Sequence, residues 1–227
     1  MSDNAITDII SPGQLSGAGE KLRVTRVITN GTFALDGGEW DVENNIWVIG
    51  DDKECYIIDA AHELDPIQEA VDGREVKAIL CTHAHNDHIT VAPELSQIFG
   101  ADIYVHPADR VLWDQSYPDL EPKELADGDV FEVGGVELKT MNTPGHSPGC
   151  CVFYVPDADV LFSGDTLFNG GPGATGRSFS DFDTIIESIK TKLLTLPAET
   201  KVLTGHGDST TIGDEAPHLD EWIKRGY

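Results

Sequence analysis

The segment Thr82-His83-Ala84-His85-Asn86-Asp87-His88 carries the strongest chemical signal in this chain of 227 residues. It follows the apolar run Val76–Cys81, which has the composition of a buried strand. His83 and His85 are two residues apart, so in extended backbone their side chains point the same way and can bind one ion. Asp87 and His88 are adjacent and point differently, which suits a second ion close by. Three histidines in six residues after a buried strand indicate a metal site rather than a solvated loop.

Three further turns share this layout, in which a strand-like run ends and a short turn containing Gly or Pro follows. They are Pro144-Gly145-His146, Gly164-Asp165 and Gly205-His206-Gly207. Each histidine or aspartate is by itself equally typical of an ordinary turn. Loops at strand ends are held by a rigid scaffold and collect functional groups, so together with the first segment these turns favour ligands. Imidazole and carboxylate without thiolate suit zinc, iron or manganese.

Strand-like and helix-like patterns alternate loosely in two halves around these turns. The β patterns are Leu22–Leu35, Asn45–Ile49, Glu54–Ile58, Val76–Cys81, Ile103–His106, Val130–Val133, Val136–Met141, Cys151–Val155, Val160–Ser163 and Val202–Thr204. Helices are predicted at Pro66–Val71, Ala92–Phe99, near Ala108–Trp113, through Ile185 to Leu194 with Ser180 or Asp181 as N-cap, and at Ala216–Lys224. The pattern predicts an α/β fold with helix-covered sheets, but periodicity alone does not choose between a doubly wound sheet and a sandwich. Residues 1–20 are expected to be a loosely ordered lead-in, and residues 21–227 a single domain.

Composition restricts the partners. The net charge is −25, from 40 acidic and 15 basic residues, which argues against nucleic acid because phosphate binding needs clustered Lys and Arg. No apolar run approaches the roughly 18 residues of a membrane span and no signal peptide is evident, so the expected location is the cytoplasm, away from membranes. The four cysteines are then expected to be reduced thiols. The oligomeric state is left open.

The four motifs together resemble the metallo-β-lactamase superfamily and, within it, the short bacterial form of the glyoxalase II-like hydrolases. The resemblance implies an αβ/βα four-layer sandwich with two divalent ions at one edge. One ion would be bound by His83, His85 and His146, and the other by Asp87, His88 and His206. Asp165 would bridge both ions. Asp59 would support the ligand loop 82–88 without binding a metal ion itself. Zinc is the expected metal, with iron or manganese as alternatives.

The function implied is hydrolysis of a small thioester or ester, with hydroxyacyl-thiol conjugates as the leading class. Two ions can share a hydroxide whose pKa is lowered to near 7, which makes a strong nucleophile at neutral pH. The hypothesis is that this bridging hydroxide attacks the carbonyl while Asp87 orients it or takes its proton. Basic residues that would bind glutathione are missing from the end of the chain, so another small thiol fits equally well. Arg177 is expected to brace its own loop rather than contact an anionic substrate.

The main alternative is a persulfide dioxygenase of the same superfamily. That class uses one iron ion, at positions equivalent to His83, His146 and Asp165, and needs oxygen. Gly149-Cys150 matches its pattern better than it matches glyoxalase II. Other ester or lactone hydrolases of the fold also stay open.

Overall fold

Two β-sheets form the centre of the structure, a computed structural model that describes residues 6–227. The first sheet has seven strands in sequential order. They are β1 Ile6–Ile10, β2 Arg23–Leu35, β3 Gly38–Gly50, β4 Glu54–Ile58, β5 Glu75–Leu80, β6 Asp102–Val105 and β7 Lys123–Glu124. Strands β1 to β4 are antiparallel, and β4 to β7 are parallel. The carboxyl ends of the parallel strands therefore meet at one edge.

The second sheet has six strands and comes from the later half of the chain. Its strands, with a separate two-stranded pair, are β8 Val130–Val133, β9 Val136–Asn142, β10 Cys151–Val155, β11 Val160–Gly164, the pair β12 Leu167–Phe168 and β13 Gly171–Pro172, then β14 Lys201–Thr204 and β15 Thr210–Thr211. The order is β15-β14-β11-β10-β9-β8, and β11 and β14 are parallel neighbours.

Helices cover the outer face of each sheet. They are α1 Leu64–Val71, α2 Asn86–Ile89, α3 Ala92–Phe99, α4 Arg110–Ser116, α5 Phe182–Ser188 continued by the π-helical turn Ile189–Leu193, α6 Ile212–Glu215 and α7 Leu219–Arg225. Short 3₁₀ turns lie at Gly17–Lys21, Pro107–Asp109, Pro156–Ala158 and Ala216–His218. Asp181 caps α5 by accepting a hydrogen bond from Thr184 N at 2.7 Å. None of these helices, within residues 6–227, is long and apolar enough to cross a bilayer.

Side-chain alternation along the strands divides the core into three layers. In β4, Ile57 points to the layer shared with α1, α3 and α4, whereas Ile58 points between the two sheets. In β11, Phe162 points between the sheets and Leu161 points to the layer shared with α5 and α7. Successive strand residues face opposite sides, so strands apolar on both faces need cover on both. The order helices, sheet, sheet, helices is the predicted αβ/βα sandwich.

Two expectations need correction. Ile6–Ile10 was expected in a loosely ordered lead-in, but it forms β1 and pairs with β2, as Ile6 with Val27 and Ile10 with Val24. Its partner is β2, the next strand along the chain, and the residues of β1 alone do not reveal this pairing. Residues 1–5 lie outside the described part of the chain. The second concerns β3, which begins at Gly38, seven residues before the predicted start. The first half of this strand is polar and largely exposed, so it lacks the apolar pattern on which the prediction relied.

Candidate metal centre

All seven predicted ligand residues lie at one edge of the sandwich. Residues 82–88 follow β5 of the first sheet, whereas His146, Asp165 and His206 follow β9, β11 and β14 of the second. β11 and β14 are parallel, so Asp165 and His206 emerge side by side. A backbone hydrogen bond from Cys151 N to Thr82 O, at 2.7 Å, connects the two sheets beside the cluster.

Three ring nitrogens form the first triangle of donor atoms. His85 Nδ1 lies 3.0 Å from His83 Nε2 and 3.1 Å from His146 Nε2. These atoms can hold one ion, and all three residues are buried. Their arrangement agrees with the ligand set implied for the first ion.

Asp87 Oδ2, His88 Nε2 and His206 Nε2 form the second triangle. Its sides measure 3.7 Å between Asp87 and His88, 3.4 Å between Asp87 and His206, and 3.3 Å between His88 and His206. Asp165 lies between the two triangles. Its Oδ2 is 3.5 Å from His146 Nε2 and 3.4 Å from His206 Nε2, and its Oδ1 is 3.4 Å from His88 Nε2.

Acceptors outside the cluster set the protonation of the rings. His146 Nδ1 donates to Ala174 O at 2.8 Å, and His206 Nδ1 donates to Glu43 O at 2.7 Å. A ring that carries its proton on Nδ1 keeps the Nε2 lone pair free for a metal. The fit to a cation also shows in Asp165 Oδ1, which is buried without a hydrogen-bond partner in the described chain.

Asp59 supports the cluster from outside, as the resemblance to the superfamily implies. The residue has a positive φ of 61° at the end of β4 and is 1% exposed. Its Oδ1 accepts from Thr82 N at 2.7 Å, and its Oδ2 accepts from Thr82 Oγ1 at 2.9 Å and from His88 Nδ1 at 2.8 Å. Because the Thr82 hydroxyl donates to Asp59, its lone pair can accept from His83 Nδ1, 3.1 Å away. One carboxylate thus orients a ligand of each triangle.

Sequence reasoning missed Asp109, which connects two ligand loops. It is fully buried and accepts from Ala84 N at 2.9 Å, from Ser147 Oγ at 2.7 Å and from Gly149 N at 2.5 Å. Ala84 lies between two ligands, and Ser147 follows His146. Asp109 therefore holds the first histidine loop against the turn that supplies His146. In the sequence, Asp109 looks like an ordinary helix-capping residue at the start of α4, so nothing there indicates this role.

The cluster has strongly perturbed protonation equilibria. Burial and the neighbouring His146 lower the pKa of His85 to about 3, so its ring is neutral with a free lone pair at neutral pH. Burial opposes protonation of His206, but the carboxylates of Asp165 and Asp87 together outweigh it and raise the pKa of His206 to about 10. Burial would likewise raise the pKa of Asp87, but His88 and His206 together outweigh it and keep that pKa below its usual value. An ion that binds the second triangle therefore has to displace a proton from His206.

A cavity of about 270 Å³ opens onto the cluster. The tip of the β2–β3 hairpin forms one wall, where Phe33 stacks on Trp40 with ring centroids 5.7 Å apart. Arg177 comes from the opposite loop, and its Cζ lies 3.8 Å from the centre of the Trp40 ring. Ser178 N donates to Asp36 Oδ2 at 3.0 Å, which joins this loop to the hairpin turn.

The backbone and the side chain of Arg177 have different roles. Its backbone braces the loop, as expected, because its N donates to Ser180 Oγ at 3.1 Å and its carbonyl oxygen accepts from Ser180 Oγ at 2.7 Å. Its guanidinium contacts the aromatic wall and, among the described residues, forms no ion pair within 4.0 Å. The group is therefore available to an anion in the cavity, which the sequence did not indicate.

The four cysteines and the other three histidines are not part of the cluster. All four cysteines are buried and free, and burial raises the pKa of Cys151 to about 12, so it is a poor nucleophile. His106 accepts from Ala108 N, and His218 lies beside Glu221. His62 instead lies next to the second triangle, through a 2.9 Å hydrogen bond between its Nε2 and Asn44 Oδ1.

The chain belongs to the metallo-beta-lactamase superfamily, whose family profile matches residues 40–206. It is 36% identical to the probable metallo-hydrolase YqgX of Bacillus subtilis, over 79% of this chain and 93% of that protein. It is 33% identical to the hydroxyacylglutathione hydrolase GloC of Haemophilus influenzae, over 75% of this chain and 87% of that protein. These relatives support a metallo-hydrolase.

Two solved structures share the fold. The BLEG-1 B3 metallo-beta-lactamase superposes with a TM-score of 0.72 at 30% identity, covering 86% of this chain and 99% of that one. TTHA1623, solved in a di-iron-bound form, gives a TM-score of 0.70 at 31% identity, covering 77% of this chain and 93% of that one. The superfamily and the His/Asp cluster together indicate a site for two metal ions.

Proposed function

We propose that this chain is a two-metal thioesterase that hydrolyses hydroxyacyl conjugates of a small thiol. The observation that carries the proposal is Asp165, whose two carboxylate oxygens lie between the two triangles of donor atoms. Such a shared carboxylate suits a pair of ions acting on one substrate. The seven ligands would be His83, His85 and His146 for one ion, Asp87, His88 and His206 for the other, and Asp165 between them.

When bound, two such ions would supply an activated water and polarise a carbonyl oxygen. The chain's own groups contribute the proton chemistry. Asp87 presents Oδ2 to the second triangle, whereas its Oδ1 is buried and has no hydrogen-bond partner in the described residues. With its pKa held below the usual value, the carboxylate is ionised at neutral pH. Asp87 Oδ1 is then free to orient a water molecule and accept its proton.

The cavity supports the choice of substrate class. Phe33, Trp40 and Val42 offer apolar contact to the body of a thiol conjugate, and Arg177 offers one cation at the mouth. The relative GloC is named as a hydroxyacylglutathione hydrolase, which favours a thioester over a lactam. A conjugate with an anionic group on its thiol matches both the apolar wall and the unpaired guanidinium.

The test is thiol release from a panel of thioesters that includes lactoyl-glutathione, using the purified protein loaded with zinc, iron or manganese. Release that stops when a chelator removes the metal would support the proposal and rank the thiols. The panel includes a chromogenic β-lactam, because the fold is shared with a B3 β-lactamase. Lactam hydrolysis without thiol release would refute the thioesterase.

Persulfide dioxygenase is the second candidate. The three residues that would bind its single iron ion are His83, His146 and Asp165, and all three belong to the cluster. This candidate predicts oxygen consumption with a persulfide by the iron-loaded protein and no release from thioesters. Cys150 does not favour it, since its thiol is buried and contacts Ser147 Oγ rather than the cavity.

A further inference from the structure

Asn44 is buried at the second triangle of donor atoms, although neither the sequence motifs nor the ligand set implied by the superfamily includes it. It lies in β3, is fully buried and projects from the base of the hairpin towards the cluster. Its Nδ2 lies 3.3 Å from Asp87 Oδ2, 3.4 Å from His88 Nε2 and 3.5 Å from His206 Nε2. The side-chain amide thus touches all three donor atoms at once.

These four atoms form a nearly regular tetrahedron. The sides of the triangle measure 3.3 to 3.7 Å, and the three distances to Asn44 measure 3.3 to 3.5 Å. The centre of a regular tetrahedron with such edges lies ~2.1 Å from every corner, which equals the bond length of zinc to imidazole nitrogen or carboxylate oxygen. Asn44 therefore occupies the fourth corner of a metal-sized tetrahedron.

An amide nitrogen cannot bind an ion there, because its hydrogens would point at the cation, but the amide oxygen can. A half-turn of the amide about the Cβ–Cγ bond exchanges Oδ1 and Nδ2 without changing the shape of the side chain. His62 permits this exchange. Its Nε2, 2.9 Å from Asn44 Oδ1, can donate to the oxygen in one tautomer or accept from the amide nitrogen in the other.

We infer that Asn44 is a further ligand of the second ion, through its side-chain oxygen, and that His62 is the partner that allows the amide to turn. Without an ion, the amide nitrogen fills the corner and donates to Asp87. With an ion, the oxygen faces the metal and the nitrogen donates to His62. Carbonyl oxygen is a harder donor than imidazole, so the second site is expected to accept manganese more readily than the first site, whose three unshared ligands are all histidines.

Metal binding itself tests the inference and does not depend on which bond the enzyme cleaves. The chelator-treated protein is titrated with zinc in competition with a chromophoric chelator, which yields dissociation constants for the first and second ions. Asn44→Leu should weaken the second ion about 10- to 100-fold and leave the first unchanged. Wild-type affinity for the second ion in this variant, or a wild-type chain that binds a single ion, overturns the inference.

Thr29→Val is the matched control. Thr29 pairs with Asn44 across the β2–β3 hairpin, is fully buried, and its hydroxyl has no hydrogen-bond partner among the described residues. The control should bind both ions as the wild type does, and equal losses in the two variants would assign the effect to hairpin packing instead. If circular dichroism shows that Asn44→Leu does not fold, Asn44→Asp replaces it. That variant keeps the shape and adds charge, so it should bind the second ion more tightly, and unchanged or weaker binding overturns the inference.

Discussion

Asp59→Asn should prevent His88 from binding the second ion, although the substitution replaces none of the predicted metal ligands. An asparagine that keeps its oxygen at the Oδ1 position, facing Thr82 N, puts an amide NH₂ at the Oδ2 position. That group then faces the Nδ1 proton of His88, at a distance of 2.8 Å in the wild type. His88 is driven to move its proton to Nε2, and the ring then presents a hydrogen rather than a lone pair to the ion.

The substitution should lower both the stability of the metal-free protein and its affinity for the second ion. Hydrogen bonds to a buried charged group contribute about 1.5–3 kcal/mol each, and the variant loses the His88 bond and weakens the Thr82 hydroxyl bond. The free energy of unfolding of the metal-free protein should therefore fall by about 2–5 kcal/mol. Affinity for the second ion should fall about 10- to 100-fold.

Urea unfolding of the chelator-treated protein measures the first effect, and zinc competition measures the second. Asp51→Asn is the control, because Asp51 also accepts two backbone hydrogen bonds, from Lys53 N at 2.8 Å and Glu54 N at 3.0 Å, but far from the cluster. It should change the free energy of unfolding by no more than about 1 kcal/mol and leave metal binding intact. An Asp59→Asn protein that binds the second ion with wild-type affinity would refute the tautomer argument.

Three further predictions concern turnover and metal loading. His85→Ala removes one donor of the first triangle and should abolish hydrolysis while the metal-free variant keeps its urea midpoint; retained turnover would contradict a metal-centred reaction. Asp109→Asn turns an amide NH₂ towards the N–H groups of Ala84 or Gly149, and zinc competition should show the first ion bound about tenfold more weakly. Arg177→Gln should raise KM by at least ~10-fold for thioesters with an anionic thiol and leave kcat unchanged, whereas steady-state kinetics with a neutral thioester should match the wild type.

The ligand turns could be predicted because each is a local feature. His83 and His146 each follow a strand-like run by a few residues, and the short turn that carries them is visible in the sequence. The same holds for the helix cap at Asp181. The sandwich itself came from the resemblance of these motifs to a superfamily, since periodicity did not distinguish it from a doubly wound sheet.

The supporting residues could not be predicted in this way. Asn44 meets Asp87 across 43 positions of sequence, and Asp109 meets Ser147 across 38. Neither stands beside a ligand in the chain, and each has the local environment of a strand or capping residue. The N-terminal strand was missed for a related reason, since Ile6–Ile10 is short and its register is set by β2. Contacts that depend on how distant strands pair leave no local pattern.

The division of the ligands between the two sheets has a thermodynamic consequence. His83, His85, Asp87 and His88 belong to the first half of the chain, and His146, Asp165 and His206 to the second. Bound ions would therefore cross-link the two halves, and unfolding would have to release them. At a free metal concentration a thousand times the dissociation constant, each ion would add about 4 kcal/mol to the stability of the folded chain. The melting temperature of this enzyme would then report the free metal concentration of its surroundings.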